Sequence, residues 1–243
     1  MKKETVLPYK NKTDGKKEQV AEMFNNISAR YDFLNHFLSL GIDIIWRKKA
    51  VKLLQSVQPK RVLDVATGTG DFAIAGLALD PEKVIGIDIS SGMLEVGKVK
   101  MKKKGFDDRI EMLLGDSENL PFEDNHFDAI TVGFGVRNFE NLEKGLLEMN
   151  RVLRIGGKTA VLEFSKPKKF PIKQLYNFYF LNILPAIGKL VSKDSSAYTY
   201  LPESVNAFPE GDNFVKIYEK CGYKNIKTYP LFFGIASIYL GEK

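Results

Sequence analysis

The residues most able to do chemistry follow a short apolar run. Val62-Leu63-Asp64-Val65-Ala66 reads as a buried strand, and it passes into Thr67-Gly68-Thr69-Gly70 before an apolar helix begins near Asp71. Glycines at such a turn let a ligand approach the backbone at the mouth of the strand. A second apolar run ends in Ile87-Asp88, eighteen residues beyond Gly70. An acidic side chain there accepts hydrogen bonds from both hydroxyls of a ribose. A third run ends in Gly115-Asp116-Ser117, where a carboxylate can accept from an adenine amino group. Met93-Leu94, just past Asp88, offer an apolar face for the ring. Gly68, Thr69, Gly70, Asp88, Met93, Asp116 and Ser117 are therefore the candidate residues for an adenosine-bearing cofactor.

Two cofactors fit that outline. Gly68-Thr69-Gly70-Asp71-Phe72-Ala73 satisfies a relaxed dinucleotide pattern, so an NAD-dependent reductase is one reading. Asp71, however, stands where a pyrophosphate would meet the helix N-terminus, and its charge opposes a doubly anionic group. Tyr223 and Lys227 have a reductase-like spacing but fall in an expected strand, where four residues do not make a helical pair. S-adenosyl-L-methionine carries no phosphate and has a positive sulfonium. It is the favoured cofactor, with NAD as the alternative.

The elements that must position these residues read as one α/β domain with additions. Strands are expected at Val62–Ala66, Lys83–Asp88, Ile110–Leu114, Ala129–Val132 and Lys158–Phe164, alternating with helices that start near Asp71, Ser91 and Asn138. Gly156-Gly157 reads as the turn that ends the third helix and opens the fifth strand. A helical insertion from about Phe170 to Val191 and a helix near Phe214–Lys220 precede two last strands, Tyr223–Tyr229 and Ile235–Leu240, expected to pair antiparallel at the sheet edge. The expected fold is an α/β, Rossmann-like class I methyltransferase sheet of about seven strands. Ahead of it, residues 1–58 read as a helical extension forming part of a substrate cap. Val20, Met23, Phe24 and Ile27 keep helical spacing there, and Ile44, Ile45 and the run to Leu54 keep it again.

Composition narrows the function. The 243 residues include one cysteine, Cys221, and two histidines, His36 and His126, too few and too scattered for a metal site. No signal or transit pattern opens the chain, and the longest apolar stretches, such as Phe178 to Leu184, are too short to span a bilayer. A cytoplasmic protein is expected. The formal net charge of +6 arises partly from Lys98, Lys100, Lys102, Lys103 and Lys104, which close one helix and suit its dipole. No aromatics interleave with these lysines, and Gly133-Phe134-Gly135-Val136-Arg137-Asn138 lacks the Asn/Asp-Pro-Pro-Tyr motif after the fourth strand. Nucleic acid is disfavoured as a substrate.

A specific resemblance runs through about residues 18–243. It is carried by Tyr31-Asp32-Phe33-Leu34-Asn35, Leu38-Ser39-Leu40-Gly41, Trp46, Gly68-Thr69-Gly70-Asp71, Leu120-Pro121-Phe122, Phe134-Gly135-Val136-Arg137-Asn138, Arg151-Val152-Leu153-Arg154-Ile155-Gly156-Gly157 and Leu162-Glu163-Phe164-Ser165. Tyr198-x-Tyr200-Leu201-Pro202-x-Ser204 and Phe208-Pro209 extend it. Together these resemble the ubiquinone/menaquinone biosynthesis C-methyltransferases. Asp43, Ile155 and Gly133 depart from that pattern, where His, Pro and, in some members, Ser occur.

The resemblance implies methyl transfer from S-adenosyl-L-methionine to a ring carbon of demethylmenaquinol, giving menaquinol, with a ubiquinone precursor or another prenylated phenol as the alternative. A neutral phenol is a weak carbon nucleophile, and ionising it at neutral pH costs about 4 kcal/mol. Arg137 and Asn138 are the candidates for holding the phenolate, Asp71 for taking its proton, and Tyr31 for lining the ring. Asn138 reads equally as a helix N-cap and Asp71 as a dipole partner. Trp46 reads mainly as packing, Asp64 as a brace for the glycine turn, and His126 as solvated. Glu163 and Ser165 read either as pocket residues or as partners for strand-end backbone. The insertion, with Leu175, Tyr176, Phe178, Tyr179, Phe180, Ile183, Leu184 and Ile187 flanked by Lys166, Lys168, Lys169, Lys173 and Lys189, is expected to touch a membrane surface or to cap the sheet.

Overall fold

The computed structural model describes residues 5–39, 41–183 and 196–243. Two helices, α1 (Lys16–Leu38) and α2 (Ile42–Leu54), precede β1 (Arg61–Val65), α3 (Asp71–Gly76), β2 (Lys83–Asp88), α4 (Ser91–Lys104), β3 (Ile110–Leu114) and β4 (Phe127–Gly133). Then follow α5 (Leu142–Val152), β5 (Leu153–Phe164), α6 (Ile172–Phe178) with a π-turn at Tyr179–Ile183, α7 (Ser196–Ala207), α8 (Asp212–Lys220), β6 (Lys224–Leu231) and β7 (Ala236–Glu242). The seven strands lie in the order β3-β2-β1-β4-β5-β7-β6. The first five are parallel, and β7 runs antiparallel between β5 and β6. This is the class I methyltransferase sheet that the sequence led us to expect.

Helices on both faces explain why the central strands read as near-continuous apolar runs. Along β4 every residue from Phe127 to Val132 is buried. Leu63, Val65, Ile130 and Val161 anchor the core under one face, and Val62, Val84, Ala129 and Leu162 anchor the core under the other. A third cluster joins α1 to the insertion through Val20, Met23, Tyr176, Phe180, Tyr198 and Tyr200.

Several local expectations change. Asn138 belongs to a 3-10 turn, Val136–Asn138, and α5 is capped instead by Asn141, whose side chain accepts from the Lys144 N–H at 3.0 Å. The helix starts late because the Glu118 carboxylate accepts from the N–H groups of Glu140 and Asn141, at 2.8 and 2.9 Å. That leaves the chain around Asn141 extended, as an N-cap requires. Gly156-Gly157 is not a turn before β5 but a bulge within it. Phe127 pairs with Leu153 and Ala129 with Lys158, so Arg154 to Gly157 bulge opposite Asp128 alone. Gly156 has φ +76°, and a Cβ on Gly157 would come within 2.8 Å of the Asp128 carbonyl.

In α2 the inward stripe is Trp46, Arg47, Ala50, Val51 and Leu54, while Ile44 and Ile45 are exposed. Helix α7, with Pro202 inside it, was not anticipated. Within the insertion Tyr176 and Phe180 are buried and stacked at 4.2 Å, whereas Leu175, Phe178 and Ile183 are exposed. Leu184, Ile187 and Lys189 lie outside the described residues. Among the described residues no helix is long and apolar enough to cross a membrane.

Candidate active site

The C-terminal ends of β1, β2 and β3 meet at one cavity, the crevice where open α/β sheets take ligands. Gly68, Asp88, Met93, Asp116 and Ser117 line it, and so does Asn138 from beyond β4. Asp88 is held hard in place. Its Oδ2 accepts from the Gly68 N–H at 2.7 Å and its Oδ1 from the Ser90 N–H at 2.8 Å. Burial pushes its pKa up and these backbone bonds oppose the rise. Asp116 accepts from the Glu118 N–H at 2.8 Å and pairs with Lys17 of α1 at 2.6 Å. Gly68 has φ +57° and open space where a Cβ would sit, so its backbone presents an unobstructed edge.

Thr69 and Gly70 face elsewhere. Gly70, at φ +85°, caps α3. The Thr69 hydroxyl donates to Asp32 and accepts from Lys100 at 3.0 Å, away from the cavity. Asp64 is fully buried and accepts from the hydroxyls of Thr67 and Thr131 at 2.6 and 2.7 Å. It braces the turn, and burial raises its pKa to about 7 against the pull of those hydroxyls.

A second, largely apolar cavity of about 470 Å³ adjoins the first, with Phe24, Tyr31 and Phe134 lining both. Its walls come from distant stretches: Met23 and Ile27 of α1, Trp46 of α2, Tyr176 of α6, Tyr200 of α7 and Phe233 after β6. Among the described residues that line it, Arg137 is the charged one. The guanidinium pairs with fully buried Glu163 at 2.8 Å, donates to the Phe134 carbonyl, and lies 5.6 Å from the Phe164 ring centre. Burial raises the Glu163 pKa, opposed chiefly by the Arg137 charge. Arg137 Nε and Asn138 Oδ1 are buried without a hydrogen-bond partner among the described residues. Such atoms are uncommon in folded proteins and mark places where a ligand completes the set.

Asp71 lines neither cavity. It pairs with Lys100 at 2.9 Å, His36 at 3.4 Å and Arg47 at 3.6 Å. Burial pushes its pKa up, but Lys100, Arg47 and His36 more than offset this and hold it below the usual carboxylate range. This placement, at the first residue of α3, supports the dipole-partner reading over that of a proton acceptor.

Two lysines of α1 escaped the sequence reading. Lys17 occupies Asp116, and Lys16 donates to the carbonyls of Arg137 and Phe139 at 2.9 and 2.8 Å, tying down the turn that carries Arg137. Burial and the nearby Arg137 charge push the Lys16 pKa down to about 8. Nothing in the lysine-rich N-terminal segment distinguishes these two from their solvated neighbours. Trp46 is core and cavity wall at once, packed on Phe134 and Phe232. Half-buried His126 stacks on Phe122. Ser165 is spent on the Gly234 carbonyl and the Ser237 hydroxyl.

The pattern of the ubiE/COQ5 methyltransferase family matches residues 12–243. The chain belongs to that family. A demethylmenaquinone methyltransferase from Bacteroides fragilis is 50% identical over 242 residues, covering 99% of this chain and 98% of its own. One from Porphyromonas gingivalis is 43% identical with the same coverage. The ubiquinone/menaquinone biosynthesis C-methyltransferase UbiE of Geotalea daltonii is 48% identical over 94% of this chain and 97% of its own. Among solved structures, a SAM-dependent methyltransferase from Thermotoga maritima superposes with a TM-score of 0.63 at 19% identity, over 91% of this chain and 98% of that one. A putative S-adenosyl-L-methionine-dependent methyltransferase from Methanococcus maripaludis reaches 0.60 at 20% identity, over 97% and 96%. The chain is a methyltransferase, and its methyl donor is S-adenosyl-L-methionine. The first cavity fits that donor: Asp88, Asp116, Glu118 and Glu140, an open glycine edge and the amide oxygen of Asn138 meet an adenosine that carries a sulfonium cation. Its lining lysine, Lys17, is already neutralised by acids.

Proposed function

We propose that this methyltransferase alkylates a ring carbon of demethylmenaquinol to give menaquinol. The relatives' activity supports this, and one observation carries it at the level of the site. Arg137, buried against Glu163 and lacking a partner at Nε among the described residues, stands in an apolar cavity that adjoins the cofactor cavity. Gly68, Asp88, Met93, Asp116 and Ser117 hold S-adenosylmethionine, which when bound supplies an electrophilic methyl group. Arg137 holds the quinol oxygen as a phenolate, which makes the neighbouring ring carbon nucleophilic. Asn138 lines the cofactor cavity, with its Nδ2 on the Phe134 carbonyl and only an accepting Oδ1 left over, and falls to the cofactor instead. The new carbon–carbon bond forms as the carbon–sulfur bond breaks, leaving the neutral thioether S-adenosylhomocysteine. The ring carbon then gives its proton to solvent and the ring regains aromaticity. A fixed guanidinium in an apolar wall stabilises such an oxyanion more than water does. Tyr31, on the border of both cavities, lines the ring.

In this reading residues 1–58 form part of the substrate cap, since α1 and α2 both wall the second cavity. The prenyl tail enters from a membrane surface. Exposed Phe170, Leu175 and Phe178 share one stretch of chain with Lys168, Lys169 and Lys173, the mixture that docks helices on anionic lipid, and exposed Phe233 lines the same cavity as Leu175. Each tail methylene left in water costs about 0.8 kcal/mol, which favours collection at a bilayer.

The test is anaerobic methyl transfer to a short-chain demethylmenaquinol, beside a benzoquinol precursor of ubiquinone. Turnover of the first is expected, and none would defeat the proposal; a preference for the second would reassign the substrate. Co-sedimentation with anionic vesicles checks the entrance. Phe178→Ser with Phe233→Ser should abolish binding while leaving the fold intact, and undiminished binding would place the entrance elsewhere.

A further inference from the structure

Arg137 accounts for one oxygen of a ring substrate, yet the second cavity holds more buried polar groups. Tyr176 and Tyr200 line it from α6 and α7, only 8% and 3% exposed, and neither hydroxyl has a hydrogen-bond partner among the described residues. Both rings are fixed by packing: Tyr176 stacks on Phe180, and Tyr200 belongs to the cluster with Val20 and Met23. Two orphaned hydroxyls on the wall of one cavity are a costly arrangement unless a ligand completes them. Phenylalanine would give the same packing without that cost.

We propose that the Tyr176 and Tyr200 hydroxyls bind the second ring oxygen of the substrate, the one not held by Arg137, and so select a ring bearing two oxygens over a simple phenol. This rests on the quinol reading above and adds the residues that set its specificity. Burial pushes both phenols up, well above their ordinary range, so they stay protonated and act as neutral donors. A neutral donor suits the second oxygen, which remains a hydroxyl. The Arg137 cation suits the one that ionises. Both tyrosines line the same cavity as Arg137 and lie within the field of the Arg137–Glu163 pair. A site that hydrogen-bonds a substrate hydroxyl discriminates strongly against the analogue lacking it, because its own buried groups are then left unpaired.

The experiment compares Tyr176→Phe, Tyr200→Phe and the double variant with wild type on two short-tailed substrates. One is the prenylated naphthalene-1,4-diol. The other is the naphthol that keeps the hydroxyl beside the reacting carbon and lacks its counterpart. Wild type should favour the diol by about tenfold or more in kcat/KM. Each single variant should lose several-fold on the diol and little on the naphthol, and the double variant should treat the two alike. Affinity for S-adenosylmethionine should not change, and the unliganded variants should melt no lower than wild type. Parallel losses on both substrates with a lowered Tm would mean the tyrosines only hold the fold, and the inference would fail. Discrimination that survives in the double variant would overturn it while leaving the proposed reaction intact. A wild type inactive on the diol would instead defeat the reaction itself.

Discussion

The two cavities are made of different material. The cofactor side is walled by the ends of β1, β2 and β3 with one flank of α1, and its acids are already satisfied by the chain: Asp88 holds two N–H groups, and Asp116 holds one together with Lys17, with Asn138 Oδ1 as the exception. The substrate side is walled by side chains of helices far apart in sequence, and among the described residues Arg137 Nε, Tyr176, Tyr200 and Trp46 Nε1 are left without partners. One half is pre-assembled, and the other is completed by its ligand. Substitutions on the cofactor side should therefore disturb folding and binding together, while those on the substrate side that strand no buried charge should change turnover with the fold preserved.

The largest expected effect tests the substrate side. Arg137→Ala alone would strand the buried Glu163 carboxylate, which typically costs 3–5 kcal/mol of stability. Arg137→Gln combined with Glu163→Gln removes both charges and should keep the fold. Its turnover should fall on the order of 10²-fold or more, with affinity for S-adenosylmethionine near normal. Near-normal turnover in single-turnover assays would remove Arg137 from the chemistry.

Asp88→Ala should lower cofactor affinity at least tenfold, since hydrogen bonds to a charged group contribute about 1.5–3 kcal/mol each. It should also lower the Tm of the free protein, because the Gly68 and Ser90 N–H groups lose their acceptor. Calorimetry and thermal melts on the same sample decide. Lost affinity with an unchanged Tm would break the contrast between the two sides.

Asp64 offers a pH test of the pre-assembled half. Its folded pKa, about 7, lies above its unfolded value. The folded state thus binds the extra proton, and this contribution to stability is complete below about pH 4 and is lost as pH rises to about 7. Asp64→Asn should gain on wild type across that window and hold level above it. A constant difference between their denaturation free energies from pH 4 to 8 would contradict the assignment.

The smallest effect is expected at Lys17→Met. A partly exposed ion pair contributes about 0–1 kcal/mol, so cofactor affinity should move by no more than several-fold. A much larger change would mean that Lys17 shapes the site.

The same contrast explains what could be read from sequence. Gly68, Asp88 and Asp116 announce themselves because each sits at the end of an apolar run, and a parallel sheet brings strand ends together. Asn138 and Asn141 were not separable locally, since the choice depends on Glu118, twenty residues away, holding the intervening chain extended. Asp71 occupies a suggestive position, yet its ion partners His36, Arg47 and Lys100 come from three other helices. Helix α7 hid behind Pro202, and the pairing of Tyr200 with Phe24 across one cavity leaves no trace in any local periodicity.

Strand β7 has a consequence for how the molecule comes into being. It lies inside the sheet, bonded to β5 on one side and β6 on the other, with Glu242 opposite both Lys158 and Lys224. On a ribosome, β1 to β5 can emerge and associate in order, but β5 keeps an open edge and β6 has no neighbour until Ala236–Glu242 have been made. Until then the nascent chain presents an unpaired apolar strand, the kind of surface that recruits chaperones or other copies of itself. Removing residues 236–242 should therefore yield aggregates rather than a smaller working enzyme, although every residue assigned here to cofactor or quinol lies upstream of that strand.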